Sequence, residues 1–429
     1  MLDINLIKEN PEKVSKALKK KGWEVDFGNL IKQIEEKNKA VKKSDDLKAE
    51  RNKLSAQVPV LKKQGKSVET IFEDVRNINN QIEIFDAQVK ELDTEIFEFL
   101  SALPNMPDDD LLAGGKENNK TIKTFGKKPE FDFKPLDHVE LCEKLGLIDY
   151  ARAAKISGKG TWIYIGDGAR LEWALLNFFI SEHLKDGYEF ILPPHILNYE
   201  SGFVAGQFPK FKEDVFWLKG IEPEKFLLPT AETALVNFHR DEILNEKDLP
   251  KKYFAYTPCY RCEAGSYRTE ERGMIRGHQF NKVEMFQYTT PENSDAAFAE
   301  LVKKAETLVE KLGLHFQTSK LAAGDCSHGM ARTYDIEVWI PSMNNYKEVS
   351  SASNARDYQA RRGNIKFRNT KTKKTQFCHI LNASGLATAR IIPSIVEQFQ
   401  NEDGSVNIPS VLVPFMNGQT VLNPIKRNN

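Results

Sequence analysis

From Ile71 onward, apolar side chains fall at Ile71, Val75, Ile78, Ile82, Phe85, Val89, Leu92, Ile96 and Phe99, in alternating steps of four and three. This is a heptad seam held for four heptads, with neither Gly nor Pro inside it, and it predicts a long α-helix. A helix with one apolar stripe has to bury that stripe against a partner. The stretch before it supplies one: Leu30, Ile34, Val41, Leu47, Leu54, Val58 and Leu61 form a looser seam, and residues 62–67 hold Gly65 at a turn. Two helices joined by so short a turn must run antiparallel. At some 30 to 35 residues each, and 1.5 Å per residue, they span roughly 45 to 50 Å. Pro59 is expected to end or kink the first helix near the tip, because a proline inside a helix costs about 3 kcal/mol.

The charges of this hairpin are lopsided. Residues 27–65 carry nine Lys and one Arg against five acids, and residues 66–100 carry two Lys and one Arg against nine acids. Attraction between a basic and an acidic helix accounts for part of this. The rest fits a basic helix facing a polyanion, since phosphate contacts require only Lys and Arg on a surface. By itself the hairpin reads as a coiled-coil interaction module. A short helix is expected before it, after Asn10-Pro11, with Val14, Ala17 and Leu18 on one side.

The chain is much longer than this arm. At 429 residues, two or three domains and a sizeable core are expected. Lys and Arg number 61, as do Asp and Glu, so any basic surface is local. Five scattered cysteines (Cys142, Cys259, Cys262, Cys326, Cys378) suit reduced thiols and a cytoplasmic setting. No apolar run approaches the roughly 20 residues needed to span a bilayer, and the start has no signal-peptide core, so no membrane partner is expected.

Residues 103–120, rich in Pro, Gly and polar side chains, mark a boundary. Beyond it, helices are expected over 136–145 and 170–185, the second with Leu171, Leu175, Phe178, Phe179 and Leu184 on its apolar side. Strands are expected at 162–165 and 188–194. Residues 226–237 read as a strand turning into a helix, with Thr230, Ala231 and Glu232 on the turn. Further strands are expected at 334–339 and 346–350, and a last one through Leu381 leads to a helix ending near Gln400.

The stretch TPCYRCEAGSYRTEERGMIRGHQFNKVEMF, residues 257–286, carries the most chemistry. Two strands flank a charged loop, 264–277, holding Arg268, Glu270, Glu271, Arg272 and Arg276. Side chains two apart share a strand face, so Arg261 goes with Glu263, and Phe280 with Lys282 and Glu284. One surface would then offer cations, carboxylates and an aromatic ring, which suits a phosphate, an ammonium or hydroxyl, and a flat base. A solvated hairpin with cross-strand ion pairs explains the same residues equally well. Cys259 and Cys262 have zinc-like spacing, but partners three apart on a strand face opposite ways and there is no second pair.

The run from Tyr260 to Phe286 resembles the second signature motif of class II aminoacyl-tRNA synthetases, and is most similar to that of the seryl-tRNA synthetase family. Asn382-Ala-Ser-Gly-Leu-Ala-Thr-Ala-Arg390 resembles the third motif, and the helix, strand and prolines of 170–194 the first. The N-terminal start and hairpin are similar to that family as well, so the resemblance covers the whole chain. It implies an α+β fold: a mixed, mainly antiparallel catalytic sheet with flanking helices, plus the two-helix coiled-coil arm. It implies a tRNA-binding domain over 1–105, with its arm at about 27–100, and a catalytic domain over 106–429.

The resemblance also implies roles. Arg261 and Arg390 are the catalytic pair, on the α- and γ-phosphates of ATP. Cys262, Glu263 and Phe280 complete the nucleotide side, Phe280 by stacking on adenine. Glu348-Val349-Ser350-Ser351 is similar to the family's ATP-binding Glu-Ile-Ser-Ser run, with Glu348 and Ser351 on Mg²⁺. Thr230, Ala231, Glu232, Glu284 and Ser384 line the serine pocket. The partners implied are serine, ATP, tRNA(Ser), with tRNA(Sec) left open, and a second copy in a homodimer. Two other classes stand beside this one: an RNA-binding protein that keeps the fold without catalysis, and a ligase loading an amino acid onto a carrier protein. The chain departs from the family pattern at Thr388-Ala389, over 326–332, and at Pro59.

Overall fold

In the computed structural model the two heptad segments are helices α1 (Gly28–Lys63) and α2 (Glu69–Ala102). The structure describes residues 1–263 and 273–425. The tip of the charged loop, with Arg268, Glu270, Glu271 and Arg272, lies outside the described residues. The chain divides into two compact units, one of Leu2–Lys16 with Trp23–Leu103, the other of Met1, Ala17–Gly22 and everything from Pro104 onward.

In the first unit, α1 and α2 pack along their length, burying Ile78, Ile82, Leu92, Ile96 and Leu100 of α2 against Leu30, Ile34, Ala40 and Ser44 of α1. Val41, assigned to the seam from sequence, is exposed. Small residues take its place, and the buried Ser44 hydroxyl keeps a partner by donating to Asp86 at 2.6 Å. A scan for large apolar residues passes over Ala and Ser. Helix α1 also runs through Pro59 to Lys63 rather than ending there. Ser55, whose carbonyl loses its helical partner, and Pro59 are both exposed, so water can satisfy the freed group. Lys37–Asp93 at 2.6 Å and Lys48–Asp86 at 3.0 Å bridge the helices, so part of the charge asymmetry is spent within the arm.

The second unit is built on an eight-stranded sheet. Its strands are β1 (Lys120–Phe125), β2 (Glu189–Ile191), β3 (Lys251–Tyr260), β4 (Gln279–Thr289), β5 (Phe316–Lys320), β6 (Arg332–Ile340), β7 (Asn345–Arg356) and β8 (His379–Ala387). They lie in the order β1-β5-β6-β7-β8-β4-β3-β2. Every pair is antiparallel except β2 with β3, so the fold is α+β with a mixed, mainly antiparallel sheet. Four strands differ from the sequence reading: nothing in it announces β1 or β5, β7 continues through Ser351–Asn354, and β8 through Asn382–Ala387.

Helices α3 (Asp167–Lys185), α4 (Ser294–Lys311) and α5 (Thr388–Gln398) share one core with the sheet. The pleat sorts residues by period two. Val283 and Met285 of β4, Leu381 and Ala383 of β8, and Ile336 of β6 enter that core. Their neighbours Lys282, Glu284, Asn382, Ser384, Asp335 and Glu337 line a cavity. In α3, Leu171, Leu175, Phe178 and Phe179 are buried as expected, but Leu184 is 53% exposed. At 3.6 residues per turn it comes round to the side opposite Leu171. Among the described residues no helix is long and apolar enough to cross a membrane.

Candidate active site

One cavity of about 1080 Å³ is lined from both ends of the chemistry-bearing sequence, by Arg261 and Glu263 on one side and by Glu348, Ser351 and Arg390 on another. Thr230, Glu232, Glu284 and Ser384 also line it. Its floor is strands β6, β7, β8 and β4.

Arg261 follows the last residue of β3. Its backbone N–H donates to His278 O at 2.9 Å and its Nε to Pro229 O at 3.2 Å. The guanidinium lies over the Phe280 ring, 5.2 Å from its centroid, a cation–π contact that holds the charge in place. Cys262 N–H donates to Asp214 O at 2.9 Å, and burial followed by the Asp214 charge raises its thiol. Glu263, at φ +51°, is ion-paired with Arg276. Arg390 sits in the first turn of α5, with Nε donating to Ile275 O at 3.1 Å and Nη1 to Glu348 O at 2.8 Å. A cation at a helix N-terminus is disfavoured by the helix dipole, and a bound anion offsets that.

Deeper in, Lys282 Nζ donates to Thr230 Oγ1 at 2.8 Å and to the Glu284 carboxylate. Burial draws the Lys282 ammonium down to about 8. Glu284 stands directly across the β4–β8 ladder from Ser384. Glu232 accepts from Gln359 Nε2 at 2.7 Å, and burial pushes its carboxyl up. Asn382, on the same wall, faces the Glu232 carboxylate, but its buried Nδ2 makes no close hydrogen bond. A buried amide donor without a partner is costly, so the geometry favours a ligand that accepts from it. The pocket therefore offers carboxylates for an ammonium and small polar groups for a hydroxyl.

Across β6 and β7 the carboxylates crowd. Ser351 faces Asp335 and Glu348 faces Glu337, with a bulge between these two pairs. Asp335 is pushed well above the usual carboxylate range, by burial first and then by the Glu348 charge. Its Oδ1 has no partner. Glu337 accepts from Gln317 at 2.8 Å and Ser319 at 2.7 Å.

The remaining sequence candidates, Ala231, Cys262, Phe280, Val349 and Ser350, do not line the cavity. Ala231 and Val349 are buried in the core. Ser350 turns inward and donates to Ser384 O at 2.6 Å. Sequence reasoning passed over Asp335, Glu337, Asn382 and Gln359. Asp335 and Glu337 carried a signal, two carboxylates two apart in an alternating strand; Gln359 carried none. Cys259 is buried in β3. Among the described residues no group of three His, Cys, Asp or Glu side chains could hold a metal ion.

Residues 216–399, which hold strands β3 to β8, match the family model of the tRNA synthetase class II core domain (G, H, P, S and T), which places this part of the sheet in that class of enzymes. Residues 1–107 match the seryl-tRNA synthetase N-terminal domain. Serine–tRNA ligase 2 of Clostridium acetobutylicum is 61% identical over 416 residues, 96% of this chain and 98% of that protein. Serine–tRNA ligase of Desulforapulum autotrophicum is 43% identical, covering 98% and 99%. The crystal structure of seryl-tRNA synthetase from Pyrococcus horikoshii complexed with ATP superimposes with a TM-score of 0.92 at 34% identity, covering 99% of this chain and 100% of that one. The chain belongs to the seryl-tRNA synthetase family.

Proposed function

We propose that the chain is a serine–tRNA ligase that activates serine with ATP and passes the seryl group to the 3′ end of tRNA(Ser). The observation that carries the reading is one cavity with guanidiniums at two sides, Arg261 and Arg390, and the Thr230–Lys282–Glu284 cluster between strands that also present Ser384.

In the first step a serine carboxylate oxygen attacks the α-phosphorus of ATP. The bond from that phosphorus to the bridging oxygen of the β-phosphate breaks, and pyrophosphate leaves. Arg261 is assigned to the α-phosphate and Arg390 to the γ-phosphate, so charge on the pentavalent phosphorus meets donors already in place. Phe280, under Arg261, is assigned to stacking on adenine, with Cys262 and Glu263 beside it. Glu232 and Glu284 take the serine ammonium, and Thr230, Ser384 and Asn382 its hydroxyl. In the second step a terminal ribose hydroxyl of the tRNA attacks the seryl carbonyl, and AMP leaves with the electrons of the mixed anhydride. Buried groups that require a hydroxyl exclude alanine strongly, because they are left unpaired with it.

Mg²⁺ is implied by the family. Glu348 and Ser351 share the cavity wall with the unpartnered Asp335 oxygen, an all-oxygen donor set that suits a hard cation already carried by a polyphosphate. Glu348 and Ser351 would hold it, and it would neutralise phosphate charge.

We assign residues 1–105 to tRNA binding and 106–429 to catalysis. The exposed Lys39, Lys42 and Lys53 of α1 support a polyanion contact on the arm. A homodimer through α3 and β2 is supported by the exposure of Trp173, Leu184, Phe190 and Leu192. The five free cysteines fit a cytoplasmic protein. The test is ATP–pyrophosphate exchange across the amino acids. Exchange should require serine and Mg²⁺, and a pure protein that shows none would leave the non-catalytic RNA-binding reading ahead.

A further inference from the structure

We propose that Phe211 is the stacking platform for the terminal base of the tRNA's single-stranded 3′ end, with Lys210 and Lys212 on its phosphates. The inference rests on the seryl-transfer reading and deepens it. Transfer requires a ribose hydroxyl beside the seryl carbonyl, so the nucleoside that carries it must enter the same cavity as the adenylate.

Among the described residues, the Phe and Tyr rings lining that cavity are Phe211 and Tyr346. Tyr346 is committed elsewhere: its hydroxyl bonds His315 at 2.8 Å and its ring packs edge-on against Trp339, 5.0 Å between centroids. Phe280 does not line the cavity. Phe211 is partly buried and, among the described residues, no ring stacks on it; Lys210 Nζ stands over it at 5.4 Å. Lys210 and Lys212, on either side in the chain, are both exposed, and Lys212 Nζ lies over the Tyr199 ring at 4.5 Å, from which it would swing to reach a phosphate. An aromatic face flanked by cations is the arrangement that binds unpaired nucleotides without reading their sequence.

The segment is also strapped to both halves of the site. Gln207 accepts from Thr233 Oγ1 at 3.0 Å, three residues beyond Thr230. Asp214 O accepts from the backbone of Cys262, next to Arg261, at 2.9 Å. Trp217 Nε1 donates to Lys212 O at 2.8 Å, and Arg362 Nη1 to Phe208 O at 3.1 Å. A ring held between the serine side and the α-phosphate side stands where the terminal nucleoside has to come. Two acids follow these lysines, the exposed Glu213, and Asp214, whose charge raises the Cys262 thiol.

The test uses the full-length protein with Phe211→Ala, Phe211→Leu and Phe211→Trp. Two rates are taken on each: serine-dependent ATP–pyrophosphate exchange, and single-turnover transfer from preformed seryl-adenylate to tRNA. Loss of one base stack should lower transfer by about 5- to 150-fold relative to exchange on the same variant. Leu should resemble Ala, and Trp should restore transfer, which a merely space-filling role would not separate. Transfer and exchange falling together, or neither falling, would overturn the proposal and leave the ligase reading intact. Absence of exchange in the unaltered protein would remove both.

Discussion

Glu172 is the sharpest place to test the physics of this fold. It lies on α3, 3% exposed, behind the active-site floor. Asn281 Nδ2 of β4 and Thr388 Oγ1 of α5 each donate to its Oε1 at 2.7 Å. Its Oε2 has no partner. Burial raises this carboxyl from 4.5 to about 7, against the hydrogen bonds from Thr388 and Asn281 that pull it down. The folded protein therefore keeps a proton that the unfolded chain releases. Unfolding sheds that proton, so stability falls as pH rises from about 4.5 and the loss is complete above about 7. At about 1.4 kcal/mol per tenfold in proton affinity, the full loss is about 3 kcal/mol. Glu172→Gln keeps an acceptor for Asn281 and Thr388 but cannot ionise. All other titrations are common to the two proteins and cancel. The stability of the Gln variant relative to the parent should rise by about 2–3 kcal/mol between pH 5 and pH 8. Urea midpoints followed by tryptophan fluorescence, with unchanged slopes, measure this. Parallel stability curves across that range would refute the reasoning.

Arg390→Ala should lower ATP–pyrophosphate exchange by about 100- to 1,000-fold, as loss of a preorganised charge at a phosphoryl centre does; a loss under threefold would contradict its assignment. Glu284→Ala leaves Lys282 buried with Thr230 alone and should destabilise the protein by about 3–5 kcal/mol, most of it returned by adding Lys282→Met. Deleting residues 30–98 should preserve exchange and abolish tRNA serylation; unchanged charging would remove the role given to the arm.

Much of this was legible in the chain. The seam from Ile71 to Phe99 specifies a helix because period and composition agree over its whole length, and α2 follows it. The α1 side was legible only in outline, since Ala40 and Ser44 do the packing that large residues announce elsewhere. The β3–β4 hairpin could be read from alternation, and so could which side chains of β4 share a face. Asn382 was hidden because β8 was expected to stop at Leu381.

The sequence by itself determined the local periodicities: helices where apolar residues recur every three to four, strands where they alternate, and the order of the motifs. Only the tertiary structure decided which faces meet. Glu348 and Ser351 are three apart, and in a regular strand they would face opposite sides; the bulge opposite Ile336 and Glu337 turns both to the cavity and drives Val349 into the core. Glu284 meets Ser384 because β4 pairs with β8 in one register. Register and bulges belong to two strands at once, and no pattern within either strand contains them.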